Sequence, residues 1–362
     1  MPTLPLYTPH PNNGSADAWH AVTAPGGYEW WYFDAEHATR DVQLVGILFD
    51  GFVFHPGYLR AYDRYASRPT RCSPPVPSEY RCVYFAVYEN GRRTEQFLTQ
   101  FPASAFEASR AEPRVRLGPN ELSPMPDGSM RLRLDGEGWE PTALGPRLTG
   151  RRSTADLTFT PRVAQAPIER TFLSREMTGA EHRWIIANPL CDVTGSIRRA
   201  DGSTLDFVGR GYHDHNFGTG PIGPGVRRWM RGRILSADRA TTFRLAYPLR
   251  RSMPVEAHLV TADATGVVDR NVCAIDADWS SRTPLALSYP RRITIEHDTP
   301  LQLTNPRLVE GSPFYLRLVY DALDDGRSGR AFCEVAYPHR LRWPVLGRMI
   351  EMSIDKQLWA RG

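Results

Sequence analysis

Short strand-like segments limit, more than any other feature, the folds open to this chain. Residues 83–88 run into Asn90-Gly91, a common hairpin turn, and residues 130–134 and 314–320 alternate between the two faces of a strand. Helical periodicity is scarce, and 31 prolines and 29 glycines separate segments about as long as strands. This pattern predicts an all-β chain of antiparallel barrels or sandwiches. The repeated strand–helix alternation of a dinucleotide-binding fold is not visible.

The chain is long enough for two domains of similar size, and a polar stretch near its middle marks the boundary. Pro161 and Pro167 lie in this stretch, which follows a strand-like segment. We therefore predict two domains, residues 1–175 and 176–362, each able to close a β-barrel. A short helix is expected only near the C-terminus, over residues 348–359.

The composition argues against several classes of function. The net charge is +4 without a basic run, so nucleic-acid binding is not expected. Lys356 is the only lysine, which effectively excludes chemistry at a lysine amine, such as a Schiff base. No apolar run reaches the ~18 residues of a membrane span, and Met1–Pro5 lacks the pattern of a signal peptide. With five scattered cysteines, these features predict a cytoplasmic protein with reduced thiols.

Residues 209–218, with the sequence Gly-Arg-Gly-Tyr-His-Asp-His-Asn-Phe-Gly, concentrate titratable side chains between glycines. A core seldom accepts five successive polar or titratable residues unless they partner one another, a ligand or a reaction. In a regular strand, Tyr212, Asp214 and Asn216 share one face, and the two histidines between them share the other. We predict that the first face is the polar wall of a cavity and that the second belongs to the packed core.

Three interpretations of this segment are open. In a metal site, His213 and His215 would bind a cation with Asp214 behind them, although a third ligand has no recognisable spacing. In a structural network, the same groups would satisfy one another within a barrel. In acid catalysis, burial would raise the pKa of Asp214 above its usual ~3.9, so that the carboxyl group stays protonated at neutral pH.

An upstream pair, His182 and Trp184, supplies further groups for acid catalysis. The two residues place an imidazole and an indole at alternate positions, and therefore on one face of a strand. An aromatic face contributes ~2 kcal/mol or more to the binding of a desolvated cation. Trp184 and Tyr212 are thus suited to stabilise the cation that forms when Asp214 protonates an alkene.

The segment Gly26–Asp34 is the richest aromatic stretch of the chain. If it is a strand, Trp30 and Tyr32 lie on one face and Trp31 lies on the other. Each face by itself is typical of a core strand. Because both faces are aromatic, we predict that one of them lines the ligand cavity. Trp229 and Arg231 either form a further part of its wall or belong to an ordinary strand with exposed arginines.

Together these segments resemble the carotenoid 1,2-hydratases, also called hydroxyneurosporene synthases. The resemblance rests on residues 26–34, on His182-x-Trp184, on residues 211–218 and on the block of residues 333–344. This family belongs to a lipocalin-like superfamily that also includes fungal kievitone hydratase and relatives of Diels–Alderases. The resemblance implies two lipocalin-like β-barrel domains. It also implies the addition of water to a terminal isoprenoid double bond without a metal or an organic cofactor.

The resemblance also implies roles for individual residues. Asp214 would protonate the alkene, and Trp184 and Tyr212 would stabilise the tertiary cation. His182 would position or deprotonate the attacking water. The residues expected to contact the substrate are Trp30, Trp31, Tyr32, His213, His215, Asn216 and Trp229.

The chain departs from the carotenoid enzymes beside the aspartate, where His213 and His215 stand in place of the expected Phe and Ser. A different isoprenoid or polyene is therefore a plausible substrate. Two alternatives stay open, a cyclase or pericyclase that folds a polyene in the same cavity, and a non-catalytic carrier of lipophilic ligands. A lipophilic substrate is consistent with peripheral membrane contact, but the sequence shows no amphipathic anchor.

Overall fold

Strands account for 59% and helices for 11% of the computed structural model, which confirms the predicted all-β class. The structure describes residues 15–142, 145–163, 168–270 and 272–357. Met1–Pro5, Pro167 and Trp359, which entered the predictions above, lie outside these ranges. The strands are β1 Tyr28–His37, β2 Val42–Asp50, β3 Arg81–Glu89, β4 Arg92–Phe101, β5 Phe106–Ala108, β6 Val115–Leu117, β7 Asn120–Pro124, β8 Met130–Thr142, β9 Gly145–Pro161, β10 Ile168–Leu173, β11 His182–Arg198, β12 Thr204–Gly218, β13 Val226–Leu235, β14 Arg239–Pro248, β15 Glu256–Asp263, β16 Gly266–Arg270, β17 Ala274–Asp278, β18 Ser281–Arg282, β19 Ser288–Tyr289, β20 Arg292–Glu296, β21 Leu301–Gly311, β22 Tyr315–Asp324, β23 Arg327–Ala336 and β24 Asp355–Lys356. The helices are α1 Pro56–Ser67, α2 Arg175–Thr178 and α3 Pro344–Met352, and the 3₁₀ turns are Pro77–Tyr80, Ala103–Ala105 and Pro338–Arg342.

The long strands form two large sheets that curl into half-barrels, as the lipocalin-like resemblance implies. The order of the first sheet is β24-β4-β3-β2-β1-β12-β11-β9-β8-β7-β6-β5, and β10 also pairs with β11. The order of the second sheet is β16-β15-β14-β13-β23-β22-β21-β20-β17. The chain passes from the first sheet to the second between Gly218 and Val226. The division into two domains at residue 175 stays a prediction.

Three apolar layers result from the alternation of side chains along these strands. Trp31 and Phe33 belong to the core that the first sheet encloses. Met230 belongs to the corresponding core of the second sheet. Tyr32 and Trp229 belong to a third layer, to which both sheets contribute and which therefore lies between them. The residues of greatest chemical interest lie in this third layer.

Helix α1 is not anticipated by the periodicity of the sequence. The residue before it is His55, whose Nδ1 accepts hydrogen bonds from the backbone N–H groups of Gly57 and Tyr58. Pro56 occupies the first turn, where a missing N–H group costs nothing. The helix thus begins with an unusual cap, an imidazole in place of the usual Ser, Thr, Asp or Asn.

The C-terminal helix differs from the expected range of 348–359. Helix α3 begins earlier, at Pro344, and ends at Met352. The chain then forms β24, which pairs in parallel with β4 of the first sheet. Pairing of Asp355 with Thr99 requires extended backbone, so the helix cannot continue.

Two expectations from the composition can be compared with the structure. Within the described ranges, no helix is long and apolar enough to cross a membrane. None of the five cysteines, all of which lie in the described ranges, forms a disulfide.

Candidate active site between the two sheets

Three adjacent strands of the first sheet bring the predicted catalytic residues together. The register of β1 and β12 places Tyr32 opposite Asp214 and Trp30 opposite Asn216. On the other side of β12, the register with β11 places Trp184 opposite Asn216. Because residues directly opposite each other share a face, these side chains form one surface that faces the second sheet. The predicted polar face of β12 is therefore the face that carries the candidate site.

Asp214 lies at the centre of this surface and is fully buried. Its Oδ2 accepts hydrogen bonds from the Tyr212 hydroxyl at 2.8 Å and from the Trp184 indole N–H at 3.1 Å. Its Oδ1 accepts one from the Asn216 side-chain amide at 2.7 Å. The structure thus brings Trp184, Tyr212 and Asp214 together as predicted.

The second sheet supplies two arginines to the same carboxylate. Arg231 of β13 approaches Asp214 Oδ2 with its Nη2 at 3.0 Å, and its guanidinium lies 3.8 Å from the centre of the Tyr32 ring. Arg244 of β14 donates to Asp214 Oδ2 at 3.0 Å and to Asn216 Oδ1 at 2.8 Å. The guanidinium of Arg244 also lies 4.2 Å from the Trp184 ring centre. Charge pairing from the second sheet therefore adds to the hydrogen bonds that the first sheet makes to this carboxylate.

These arginines overturn the predicted protonation state of Asp214. Burial by itself would raise the pKa of the carboxyl group, as expected from the sequence. The positive charges of Arg231 and Arg244, with the hydrogen bond from Tyr212, outweigh burial and lower the pKa below its ordinary value. Asp214 is therefore an ionised carboxylate at neutral pH in this structure, and not a protonated carboxylic acid.

The neighbouring titratable groups are both neutral at physiological pH. Burial and the charge of Asp214 raise the pKa of Tyr212 well above its ordinary value, so its phenol keeps the proton that it donates. Burial lowers the pKa of His182 to about 3, so its imidazole is uncharged. The site therefore consists of one anionic carboxylate, two cationic guanidinium groups and neutral hydrogen-bonding groups.

His182 is the first residue of β11. It lies two residues before Trp184, so the two side chains share a face. Its Nδ1 forms a hydrogen bond of 2.7 Å with the Tyr28 hydroxyl. Its buried Nε2 has no hydrogen-bond partner within the described part of the chain. Opposite it stands Gly218, where a Cβ atom would lie 2.6 Å from His182 Nδ1 and 2.7 Å from the Tyr28 ring. Gly218 is therefore required for this close approach of imidazole and phenol.

The two histidines of the motif face away from Asp214, into the core of the first sheet. The ring of His213 stacks on Phe33 at 3.9 Å, and its Nε2 lies 2.9 Å from Asp17 Oδ2. The ring of His215 stacks on Trp31 at 4.6 Å. Of the predicted substrate contacts, these two histidines and Trp31 thus lie on the face opposite the candidate site.

His215 joins two buried carboxylates on this inner face. Its Nε2 lies 2.9 Å from Glu29 Oε1, and its Nδ1 lies 3.4 Å from Asp17 Oδ1. His20 Nδ1 lies 3.0 Å from the same Glu29 oxygen. His20, Glu29 and His215 together have a donor set that could hold a metal ion. The pair of ligands considered from the sequence, His213 and His215, instead contacts different carboxylate oxygens.

The stability of the protein should depend on the charge of His215. Burial opposes this charge, but hydrogen bonds and attraction to Asp17 and Glu29 outweigh burial and raise the pKa to about 9 from 6.5. The resulting stabilisation is complete below about pH 6.5 and is lost as the pH rises through about 9, a loss of ~3 kcal/mol. The free energy of unfolding, determined with urea between pH 6 and pH 10, measures this loss. His215→Gln should remove this dependence of stability on pH. His37→Gln should keep it, because the pKa of the His37 imidazole is lowered. A flat profile in the wild type would mean that His215 folds as a neutral ring.

An aromatic region adjoins the site within the layer between the sheets. Trp30 stacks on Tyr28 with ring centres 4.8 Å apart. Trp229 contacts Phe54 at 5.6 Å and Phe172 at 6.0 Å. The predicted wall residues Trp30 and Trp229 therefore belong to the same layer as Trp184 and Tyr212, the partners of Asp214.

The polar part of the layer is closely packed. A narrow gap between the sheets, whose lining includes Tyr32, Arg231 and Arg317, has no room for a water molecule. A larger cleft of about 440 Å³ is lined by Arg93, Trp139 and other residues, none of which is a predicted site residue. Room for a large apolar ligand beside Asp214 therefore requires movement of side chains in the aromatic region.

From the sequence, Arg231 is expected either on the cavity wall with Trp229 or exposed on an ordinary strand, and Arg244 is not singled out. One signal was available, since after Arg239 the rest of strand β14 is apolar or hydroxyl-bearing except for Arg244, between Phe243 and Leu245. All ten residues of β14 are buried, so an arginine within it must have a buried partner. The identity of that partner is not readable from β14 itself.

Comparisons with known proteins agree with the resemblance. The sequence profile of the carotenoid hydratase CrtC family matches residues 46–360. A hydroxyneurosporene dehydrogenase from Chlorobaculum tepidum is 27% identical over 95% of this chain and 90% of its own length. An acyclic carotenoid 1,2-hydratase from Rhodobacter capsulatus is 27% identical over 86% of this chain and 97% of its own.

A solved structure shares the fold at lower sequence identity. A protein from Nitrosomonas europaea to which the name AttH is given has a TM-score of 0.62 and 16% identity, covering 93% of this chain and 99% of that one. Kievitone hydratase from Nectria haematococca has a TM-score of 0.48 and 11% identity, covering 91% and 97%. On the match of the family profile to most of its length, this chain belongs to the carotenoid hydratase CrtC family.

Proposed function

We propose that this protein adds water to a terminal C=C bond of an acyclic carotenoid or a related isoprenoid, by acid catalysis through a tertiary carbocation. The observation that carries the proposal is the contact of buried Asp214 with both Trp184 and Tyr212, beside an aromatic layer. A carboxyl group next to two aromatic rings can deliver a proton and then hold the resulting cation. Membership of the carotenoid hydratase family supports the choice of reaction.

The proposed reaction balances with water as the only co-substrate. Asp214 in its protonated form transfers its proton to the less substituted alkene carbon, and the electron pair of the double bond forms the new C–H bond. The tertiary cation on the other carbon lies against Trp184 and Tyr212, with the Asp214 carboxylate as its counter-ion. Water then forms the C–O bond, and the proton it loses returns to Asp214. The acid is regenerated and no cofactor is consumed.

His182 has the properties needed to orient the water. Its imidazole is neutral, because burial lowers its pKa to about 3, and its Nε2 is not engaged by another described residue. A ring with so low a pKa is a poor final acceptor for a proton but a good hydrogen-bonding group. We therefore assign to His182 the positioning of water and to Asp214 the transfer of protons.

The rate of hydration should rise as the pH falls. Since Arg231 and Arg244 hold the pKa of Asp214 below its ordinary value, the protonated form is a minor one at neutral pH. Its population, and with it kcat/KM, should increase about tenfold for each unit of pH between about pH 7.5 and 5.5. Initial rates over this range, with folding followed by circular dichroism, measure the slope. Arg244→Gln should move the profile to higher pH, and a rate maximum at neutral pH in the wild type would contradict the assignment.

Mass spectrometry of products formed in H₂¹⁸O tests the proposed reaction directly. Purified protein treated with EDTA is incubated with acyclic carotenoids and with squalene-type isoprenoids. We expect an alcohol that carries one labelled oxygen, at the same rate as without EDTA. A product of unchanged mass and altered retention time would instead identify a cyclase, and recovery of bound, unchanged substrate would identify a carrier. Loss of activity on EDTA treatment would contradict a metal-independent reaction.

A further inference from the structure

Helix α3 presents an apolar face to solvent. Val345, Met349 and Met352 recur at the spacing of one helical face and are 75%, 43% and 50% exposed. Trp343, the residue before the helix, is 52% exposed. The opposite side of the helix is buried, through Leu346 and neighbouring residues. Four large apolar side chains in one exposed ten-residue segment form a patch of the kind that marks an interaction site.

The patch continues beyond the helix on both sides. The Arg340 guanidinium lies 4.9 Å from the Trp343 ring centre and donates to the backbone oxygen of Leu285 at 2.9 Å. Leu285 is itself 50% exposed. At the other end, the Met352 side chain packs against Gly145, at the start of β9. We call residues 343–352 together with Leu285 the α3 face.

Basic side chains surround the α3 face. Arg348 is exposed between its apolar residues. Arg342 pairs with Asp63 at 2.8 Å, and Arg60 pairs with Glu351, so the acidic groups near the helix are engaged by arginine. An exposed apolar stripe with tryptophan at its edge and arginine around it is complementary to a membrane interface with anionic headgroups.

A row of aromatic rings leads from the α3 face toward the candidate site. Arg340 also donates to the backbone oxygen of Pro313, next to Phe314. The ring of Phe314 lies 6.0 Å from Phe54, which in turn contacts Trp229.

The row then reaches the partners of Asp214. Trp229 contacts Phe172, whose ring centre lies 4.4 Å from the Arg244 guanidinium. Arg244 is bonded directly to Asp214. A chain of contacts therefore joins the α3 face to the carboxylate, with Arg340 at one end, Arg244 at the other and four aromatic rings between them.

We propose that the α3 face docks on a lipid bilayer containing anionic lipids. The apolar side chains of α3 enter the interface, and the exposed Arg348 contacts the headgroups. In this position the aromatic row opens toward the bilayer, so that a lipid-dissolved isoprenoid reaches Asp214 without crossing water. The delivery of substrate rests on the proposed function, whereas the docking itself does not.

Flotation with vesicles tests the docking without any substrate. We expect the wild-type chain to float with vesicles of 70% phosphatidylcholine and 30% phosphatidylglycerol. Val345→Glu/Met349→Glu should lower the partition coefficient by about tenfold or more, because two apolar side chains no longer enter the interface. Arg348→Gln should lower it about fivefold, and only for anionic vesicles. Val268→Glu, which changes a side chain of 44% exposure on β16, is the matched control and should float like the wild type.

Failure of the wild type to float, or equal flotation of the double variant, would overturn the docking. Size-exclusion chromatography tests whether a second copy of the chain, instead of a bilayer, covers the α3 face. If the wild type is a dimer that Val345→Glu/Met349→Glu converts to a monomer, the α3 face is a subunit interface and the proposal is wrong. Val345→Ser/Met349→Ser repeats the comparison with smaller changes, in case the acidic pair disturbs folding.

Activity assays separate docking from catalysis. With carotenoid in vesicles, Val345→Glu/Met349→Glu should hydrate about tenfold more slowly than the wild type, while both should be equal with carotenoid in detergent micelles. Equal rates in vesicles would overturn delivery through the α3 face. A wild type that floats but forms no hydrated product in either medium would contradict the proposed function and leave the docking in place.

Discussion

Asp214→Asn should lower kcat for hydration by ~10²–10⁴-fold, the range that a positioned acid contributes. Asparagine has nearly the same shape and can still accept a hydrogen bond from Tyr212 or Trp184, but it cannot supply a proton to the alkene. Product formation from an acyclic carotenoid, quantified by mass spectrometry, measures the effect. Full activity of this variant would refute the mechanism.

The matched control for this experiment lies on the same strand. Asp206→Asn makes the same chemical change at an exposed position of β12, and its rate should equal that of the wild type. Because Asp214→Asn leaves Arg231 and Arg244 without their carboxylate, its folding has to be followed by near-ultraviolet circular dichroism. Binding of carotenoid by the variant, measured by tryptophan quenching, shows whether chemistry or binding has been lost.

Arg233→Met should lower the free energy of unfolding by about 3–5 kcal/mol. Arg233 is 1% exposed, and its Nε donates to Asp34, which is equally buried. A second carboxylate, Glu36, lies 3.6 Å from its Nη1. Methionine fills a similar volume but removes the ion-pair partner of Asp34 in the layer between the sheets. Urea unfolding at pH 7 measures the loss.

Two further variants distinguish a buried charge from a lost contact. Asp34→Leu/Arg233→Met removes both charges, and most of the lost stability should return. Arg131→Met removes one partner of an exposed pair with Asp156 and should cost less than about 1 kcal/mol. Similar losses of unfolding free energy for Arg233→Met and Arg131→Met would show that breaking the inter-sheet pair costs no more than breaking a surface pair.

The sequence by itself determined the class of the fold and the two faces of the central strand. A period of two is a local property of extended backbone, so the segregation of Asp214 from His213 and His215 followed from their positions alone. The same reasoning placed Trp30 and Tyr32 on the face opposite Trp31, and the structure agrees. The carboxylate that we propose to be catalytic and its two aromatic neighbours were also predictable, because their spacing matches a family pattern.

The tertiary structure decided the electrostatic state of the site. Arg231 and Arg244 belong to the second sheet, and their distance from Asp214 depends on how two separately curled sheets pack. The local periodicity of the sequence carries no information about such packing. From the sequence, burial alone was therefore expected to govern the pKa of Asp214. The same packing put the site between the sheets and not inside a barrel. Coulombic energy depends on distances in space, and only the assembled sheets fix those distances.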